Sequence, residues 1–180
     1  GGTSEVTSTG IRGFVNEPFW SLLFDCAVLP YNDASALREH LARHGDEVAG
    51  VIMEPLVQGA AGMVFSDVDY LRECSVLCRD AGVFLILDEV MTGWGRTGTL
   101  FACEQAGITP DILAASKGIT GGTLPLGVTA CTPSIFEAFL GDQKTDAFLH
   151  GHSYTGNPIA CAASLAALSL YEELVSCSLR

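Results

Sequence analysis

With 180 residues, 48% of them hydrophobic, the chain is long enough to bury the core of one domain, and nothing in its composition marks disorder. Nine Lys+Arg against 21 Asp+Glu give a net charge of −12, which argues against nucleic acid or an anionic membrane surface as partner, since both demand a basic patch. The seven cysteines (Cys26, Cys74, Cys78, Cys103, Cys131, Cys161, Cys177) lack paired spacing and read as reduced core residues. No apolar run reaches the roughly 18 residues of a membrane span, and the start lacks a signal peptide's basic flank and apolar core, so a cytoplasmic location is expected, mitochondrial if eukaryotic.

The opening Gly1 to Gly10 has loop composition, and a start on Gly rather than Met suggests a fragment. Phe24 to Pro30 predicts a short strand. Asp33 is a plausible N-cap for a helix through Arg43 that His44-Gly45 closes. A buried strand is expected over Val48 to Glu54, broken by Pro55. The glycine-rich Gln58-Gly59-Ala60-Ala61-Gly62 then either approaches a ligand or merely turns the chain. Ser66 can cap the next helix, in which Val68, Leu71, Cys74, Val76, Leu77 and Cys78 follow a 3-4 spacing up to Ala81-Gly82. Cys74 and Cys78, one turn apart, favour core packing over a metal because no further ligands accompany them.

Phe84-Leu85-Ile86-Leu87-Asp88-Glu89-Val90 and Ile112 to Lys117 read as two neighbouring buried strands, each ending in an ionisable residue followed closely by glycine. Asp88 alone or Lys117 alone would suggest only a paired charge at a strand end. Together they point to pyridoxal phosphate, which needs a lysine to hold it covalently and a carboxylate to keep its pyridine nitrogen protonated. Displaced by an amino substrate, Lys117 can also carry a proton as general base and then acid. The rival is Gly93-Trp94-Gly95-Arg96-Thr97-Gly98, a match to the dinucleotide fingerprint of nicotinamide and flavin enzymes. In that motif the first glycine follows its strand immediately and opens a helix, whereas here Asp88-Glu89 intervene and would repel a pyrophosphate.

Gly118 to Thr123 supplies a backbone able to turn around a cofactor, Leu126 to Cys131 predicts a further strand, and Thr132-Pro133 starts a short helix. His150 and His152 lack the partners of a zinc site, and the hydroxyls and glycines of His150 to Pro158 suit phosphate better. From Asn157-Pro158 on, Ile159, Ala162, Ala163, Leu165, Ala166, Leu168 and Leu170 predict a small-residue apolar helix, serving core or interface.

Glu54-Pro55-Leu56-Val57-Gln58-Gly59, then Leu87 to Gly98, Pro110-Asp111-Ile112, Ser116-Lys117-Gly118 and Thr120-Gly121-Gly122, in this order and spacing, resemble the class III (subgroup II) aminotransferases. The resemblance runs from about Phe24 to Glu173, and Phe148 to Pro158 with Gly121 to Leu126 look most like the family's biotin-pathway branch. It implies an α/β fold, the large domain of a fold-type I pyridoxal-phosphate transferase, with a mixed, mainly parallel sheet between helices. Residues 1–180 would be part of that domain, with the small domain missing.

The implied reaction is amino transfer from S-adenosylmethionine to 8-amino-7-oxononanoate in a homodimer with small-molecule substrates and no metal. Lys117 would be the Schiff-base lysine and also meet substrate, Asp88 the partner of the pyridine nitrogen and Val90 the residue on the cofactor ring. Gly151 would lie beside the substrate. His152 and Ser153 match the segment that reaches the cofactor phosphate across the dimer interface, Ser153 keeping the hydroxyl that relatives supply from Thr. Members using ornithine- or GABA-type substrates carry glutamate where Ala60 stands and glutamine where Met91 stands, which disfavours those substrates. Another class III aminotransferase, a nicotinamide enzyme and a non-catalytic module of the same fold remain the alternatives. The family's phosphate loop and carboxylate-binding arginine match nothing in these residues, so the chain by itself is expected to be inactive.

Overall fold

The first helix starts where Asp33 is extended and its carboxylate accepts the N–H groups of Ser35 and Ala36 at 3.0 and 3.1 Å, satisfying donors that the first helical turn leaves open. This is α1 (Ala34–His44) in a computed structural model that describes residues 26–178, with side chains described through residue 173. Gly45 does not close it in a left-handed turn; its φ is −58° and the chain passes into a 3-10 turn, Gly45–Glu47. The expected strand over Phe24 to Pro30 fails in its described part, because residues 26–30 find no ladder partner. Phe24, Asp25 and the opening loop lie outside the described residues.

Strand β1 (Gly50–Met53) is shorter than the apolar run that predicts it, since only these four residues pair with a neighbour. Next, β2 (Val57–Gln58) and β3 (Val64–Phe65) form an antiparallel hairpin, so the glycine-rich stretch between them is its turn. Helix α2 (Val68–Ala81) follows. Ser66 does not cap it: its hydroxyl bonds the Tyr31 phenol at 3.0 Å, and Asp67 takes the cap position without a side-chain bond. Gly82, at φ +68°, ends α2, and the Val83 N–H reaches the Cys78 carbonyl at 2.9 Å.

The sheet has the order β1, β4 (Phe84–Asp88), β5 (Ile112–Ala115), β6 (Val128–Cys131); the first three run parallel and β6 is antiparallel to β5. Alternation along β4 sends Leu85 and Leu87 to one face, where they meet Met53, Leu37 and Leu41 of α1, and Leu71, Cys74 and Cys78 of α2. Leu71, Leu87 and Cys74 are fully buried. Burial pushes the Cys74 thiol up to about 11 and Cys78 up to about 12, so both behave as small hydrophobes. No metal-ligating cluster involves them or the histidines among the described residues.

After a single-turn α3 (Cys103–Ala106), the chain enters β5 and then the edge strand β6, all four of whose residues are exposed. Thr132 and Pro133 do start a short α4 (Pro133–Glu137), although the Thr132 hydroxyl bonds Ser134 rather than the backbone. The closing helix α5 (Pro158–Ser178) is capped by Asn157, whose side-chain oxygen accepts from Ile159 and Ala160 at 3.0 and 3.1 Å. Among its residues with described side chains the buried ones are Ala160, Ser164 and Ala167, one narrow stripe, while Ile159, Leu165 and Leu170 stay exposed. The small residues, not the large ones, let α5 lie close along the turn that follows β5.

Candidate active site

Register between β4 and β5 decides where their charged ends fall. Asp88 stands opposite Ala114, so Lys117 begins three residues beyond Asp88's level at the end of the next strand. Asp111 fixes that register: its carboxylate accepts the Leu85 N–H at 2.8 Å while its own N–H donates to the Leu85 carbonyl at 2.9 Å. The Pro110-Asp111-Ile112 motif is therefore a clip between the two strands that carry the candidate chemistry.

Asp88 is half-buried and points to the face opposite Leu85 and Leu87. One carboxylate oxygen accepts the Val90 N–H at 3.0 Å; the other accepts nothing among the described residues. Asp88 lines a cleft of about 860 Å³ with Glu54, Gln58, Ala60 and Ala61. Lys117, Val90, Gly151, His152 and Ser153 lie outside that lining. Met91 packs against the residue before Ala60: a Cβ on Gly59 would stand 2.5 Å from the Met91 sulfur.

Glu89, to which the sequence pattern assigns no task, is fully buried. Its carboxylate accepts the Thr92 hydroxyl at 2.6 Å and the N–H groups of Ala102 and Cys103 at 3.0 and 2.8 Å. It thereby folds the intervening segment into consecutive turns. Burial, followed by the Glu89 charge, pushes Cys103 up to about 12. No helix opens between Val90 and Gly98, and Gly95 and Gly98 have φ of 87° and 103°. The dinucleotide fingerprint is thus a glycine-rich turn series, which removes the nicotinamide reading. The cue to Glu89 lies in strand alternation, which puts it on the core side, where a charge without donors would not persist.

Lys117 is exposed, at φ +48°, and opens a 3-10 turn (Lys117–Thr120). A non-glycine residue in the left-handed region costs about 1–3 kcal/mol. Backbone bonds within the turn offset this: Gly122 to the Lys117 carbonyl at 3.3 Å, and Gly121 to that of Gly118 at 2.8 Å. The Ser116 hydroxyl adds a bond to the Leu126 carbonyl at 2.5 Å. The Lys117 ammonium has no ion-pair partner among the described residues.

The loop carrying Gly151, His152 and Ser153 is exposed and, among the described residues, hydrogen-bonded only to itself, with the His152 N–H on the Thr155 hydroxyl and the Tyr154 N–H on the His152 ring. No hydrogen bond or ion pair joins it to Asp88 or Lys117 among the described residues. The Ser153 hydroxyl likewise has no partner there. A carboxylate oxygen and an ammonium without partners, at adjacent strand ends beside open glycine turns, are the donor set that pyridoxal phosphate requires.

The mixed, mainly parallel sheet with helices that carries this pair is the α/β fold of the fold-type I transferases. The chain belongs to the aminotransferase class-III family, which matches residues 3–177 and depends generally on pyridoxal phosphate. It is 45% identical over 184 residues to an adenosylmethionine-8-amino-7-oxononanoate aminotransferase of Synechococcus elongatus, covering 94% of this chain and 43% of that protein. A solved structure bearing the same name, from Methanocaldococcus jannaschii, superposes with TM-score 0.87 at 37% identity, covering 96% of this chain and 42% of its own. An (S)-enantioselective omega-transaminase of Thermomicrobium roseum follows at TM-score 0.72 and 41% identity, over 78% of this chain and 31% of that one. The chain thus spans less than half the length of these relatives.

Proposed function

We propose that this chain is the cofactor-binding part of a longer enzyme of biotin biosynthesis that transfers an amino group from S-adenosylmethionine to 8-amino-7-oxononanoate, giving 7,8-diaminononanoate. The observation that carries this reading is the 45% identity, across 94% of the chain, to a relative named for that reaction. Pyridoxal phosphate, when bound, supplies the electron sink that lets a substrate's amine-bearing carbon lose its proton. The oxygen of Asp88 that Val90 leaves unpaired would hold the proton on the ring nitrogen. Lys117 would hold the cofactor covalently and, once released, move the proton to and from the substrate carbon. Val90 would pack on the ring, and Gly151 would leave space beside the substrate.

Ser153 and His152, exposed on their loop, suit a phosphate bound in the other subunit of a homodimer, which supports the shared-site reading. No described helix is long and apolar enough to cross a membrane. The full-length enzyme should restore growth of a biotin auxotroph lacking this aminotransferase, and Lys117→Ala should not. Absence of growth, with the protein expressed and folded, overturns the substrate assignment. The omega-transaminase likeness supports a second reading, an ω-amino acid or amine donor. It prevails if complementation fails while such donors, rather than S-adenosylmethionine, sustain turnover.

A further inference from the structure

Lys117 sits exposed and in a left-handed conformation at the start of a turn that buries Ile119 and Thr120 and whose backbone bonds come almost wholly from the turn itself. One anchor arrives from far along the chain. The Tyr171 hydroxyl on α5 donates to the Gly118 carbonyl at 2.8 Å, across 53 residues. That carbonyl belongs to the residue right after Lys117, so the bond holds the Gly118–Ile119 peptide plane, one peptide beyond the lysine.

Trp94 completes the clamp. A Cβ on Gly118 would stand 2.6 Å from the Trp94 Cβ, so the Gly118 backbone is pressed directly against this residue. The indole stacks on the Tyr171 ring with centroids 5.9 Å apart and interplanar angle 23°, and meets Phe101 edge-on at 5.2 Å. Trp94 belongs to the turns that follow Asp88, and Glu89 anchors those turns in the core. The two strand ends are thereby tied to each other through Trp94, Gly118 and Tyr171. The narrow stripe of Ala160, Ser164 and Ala167 allows α5 to come close enough for Tyr171 to reach.

We infer that Tyr171, stacked on Trp94 and bonded to the Gly118 carbonyl, is a positioning residue that holds the Lys117 turn in register with the Asp88 turn. The assignment of a chemical task to Lys117 rests on the aminotransferase reading; the clamp on its backbone does not. Tyr171→Phe keeps the ring and its stacking and removes only the hydroxyl.

In the full-length enzyme freed of cofactor, Tyr171→Phe should raise amide exchange of the Lys117–Gly122 turn about two- to tenfold, the change expected for one ordinary hydrogen bond. On adding pyridoxal phosphate, the absorbance that Lys117→Ala lacks should develop several-fold more slowly, and kcat should fall with KM nearly unchanged. Trp94→Phe, which trims the stacking surface, should shift exchange in the same direction and serves if Tyr171→Phe does not accumulate. Unchanged exchange of the turn together with unchanged uptake overturns the inference. If the unmodified enzyme shows no Lys117-dependent absorbance, the aminotransferase reading falls, and the exchange measurement alone still decides on the clamp.

Discussion

The segment from Tyr31 to Ala115 and the segment from Gly121 to Tyr154 are built on opposite terms. In the first, α1 and α2 cover one face of β1 and β4, and Leu71, Leu87 and Cys74 lose all contact with solvent. In the second, Phe136, Phe139, Leu140, Phe148, Leu149 and Tyr154 are 57, 40, 61, 65, 85 and 75% exposed. Aromatic residues this open over one short stretch are the kind of surface that proteins cover with another surface. The first segment closes its own core, whereas the second suits the subunit interface proposed for Ser153. Asp88 and Lys117 fall at the junction of β4 and β5, Asp88 closing the one strand and Lys117 just past the end of the other, both strands being held by the closed core.

Substitutions at this junction separate chemistry from packing. Lys117→Ala in the full-length enzyme should abolish transamination and the cofactor absorbance while leaving the melting temperature of the cofactor-free enzyme close to wild type, since the side chain is exposed. Asp88→Asn keeps the shape but removes the charge, and turnover should fall at least about 100-fold, about 2.7 kcal/mol of barrier. A loss within about tenfold would make Asp88 a structural residue. Deep in the closed segment, Leu87→Ala should cost about 2–5 kcal/mol of stability in denaturant titration, because the fixed helices on that face cannot fill the cavity.

Cysteines sharpen the same contrast through pH. Cys74, Cys78 and Cys103 have thiols raised above their ordinary range by burial, so the folded state keeps their protons after the unfolded chain has lost them. Their contribution to stability is full below about pH 9 and is lost as pH rises toward 12, since ionisation then favours the unfolded chain. Stability measured against pH should decline on that limb, and Cys78→Ala should make the decline shallower. At pH 8 a thiol reagent should modify Cys131, Cys161 and Cys26 first and leave the three buried thiols unreacted until unfolding. The smallest change is expected for Leu149→Ser, which should move stability by no more than about 0.5 kcal/mol. Weaker self-association of that variant in sedimentation, at unchanged stability, would support the interface reading; unchanged association would count against Leu149 lying in it.

Local chemistry makes much of the site legible in the sequence. Apolar runs ending in Asp88 and Lys117 mark two strand ends, because a charge following a short apolar run has few other places to go, and the motif order around them marks the family. Asp33, Gly82 and Asn157 mark helix ends through capping rules that act over three or four residues. Ser66 breaks its rule because a distant phenol competes for the hydroxyl, and residues 26–30 form no strand because a strand needs a neighbour, which local pattern does not supply. The six residues from Gly93 to Gly98 mimic a dinucleotide loop in glycine spacing alone, without the helix that such a loop opens.

What the sequence by itself determined is therefore whatever depends on residues close along the chain: helix spans, cap chemistry, strand ends and the motif order that marks the family. Tertiary structure alone decided what depends on long-range meetings. It set the antiparallel course of β6, the clip of Asp111 on Leu85, the three donors around Glu89 and the reach of Tyr171 to Gly118. Each of these joins groups brought together only when the sheet and helices pack, and a hydrogen bond or ring contact of that kind leaves no periodicity in the sequence to read.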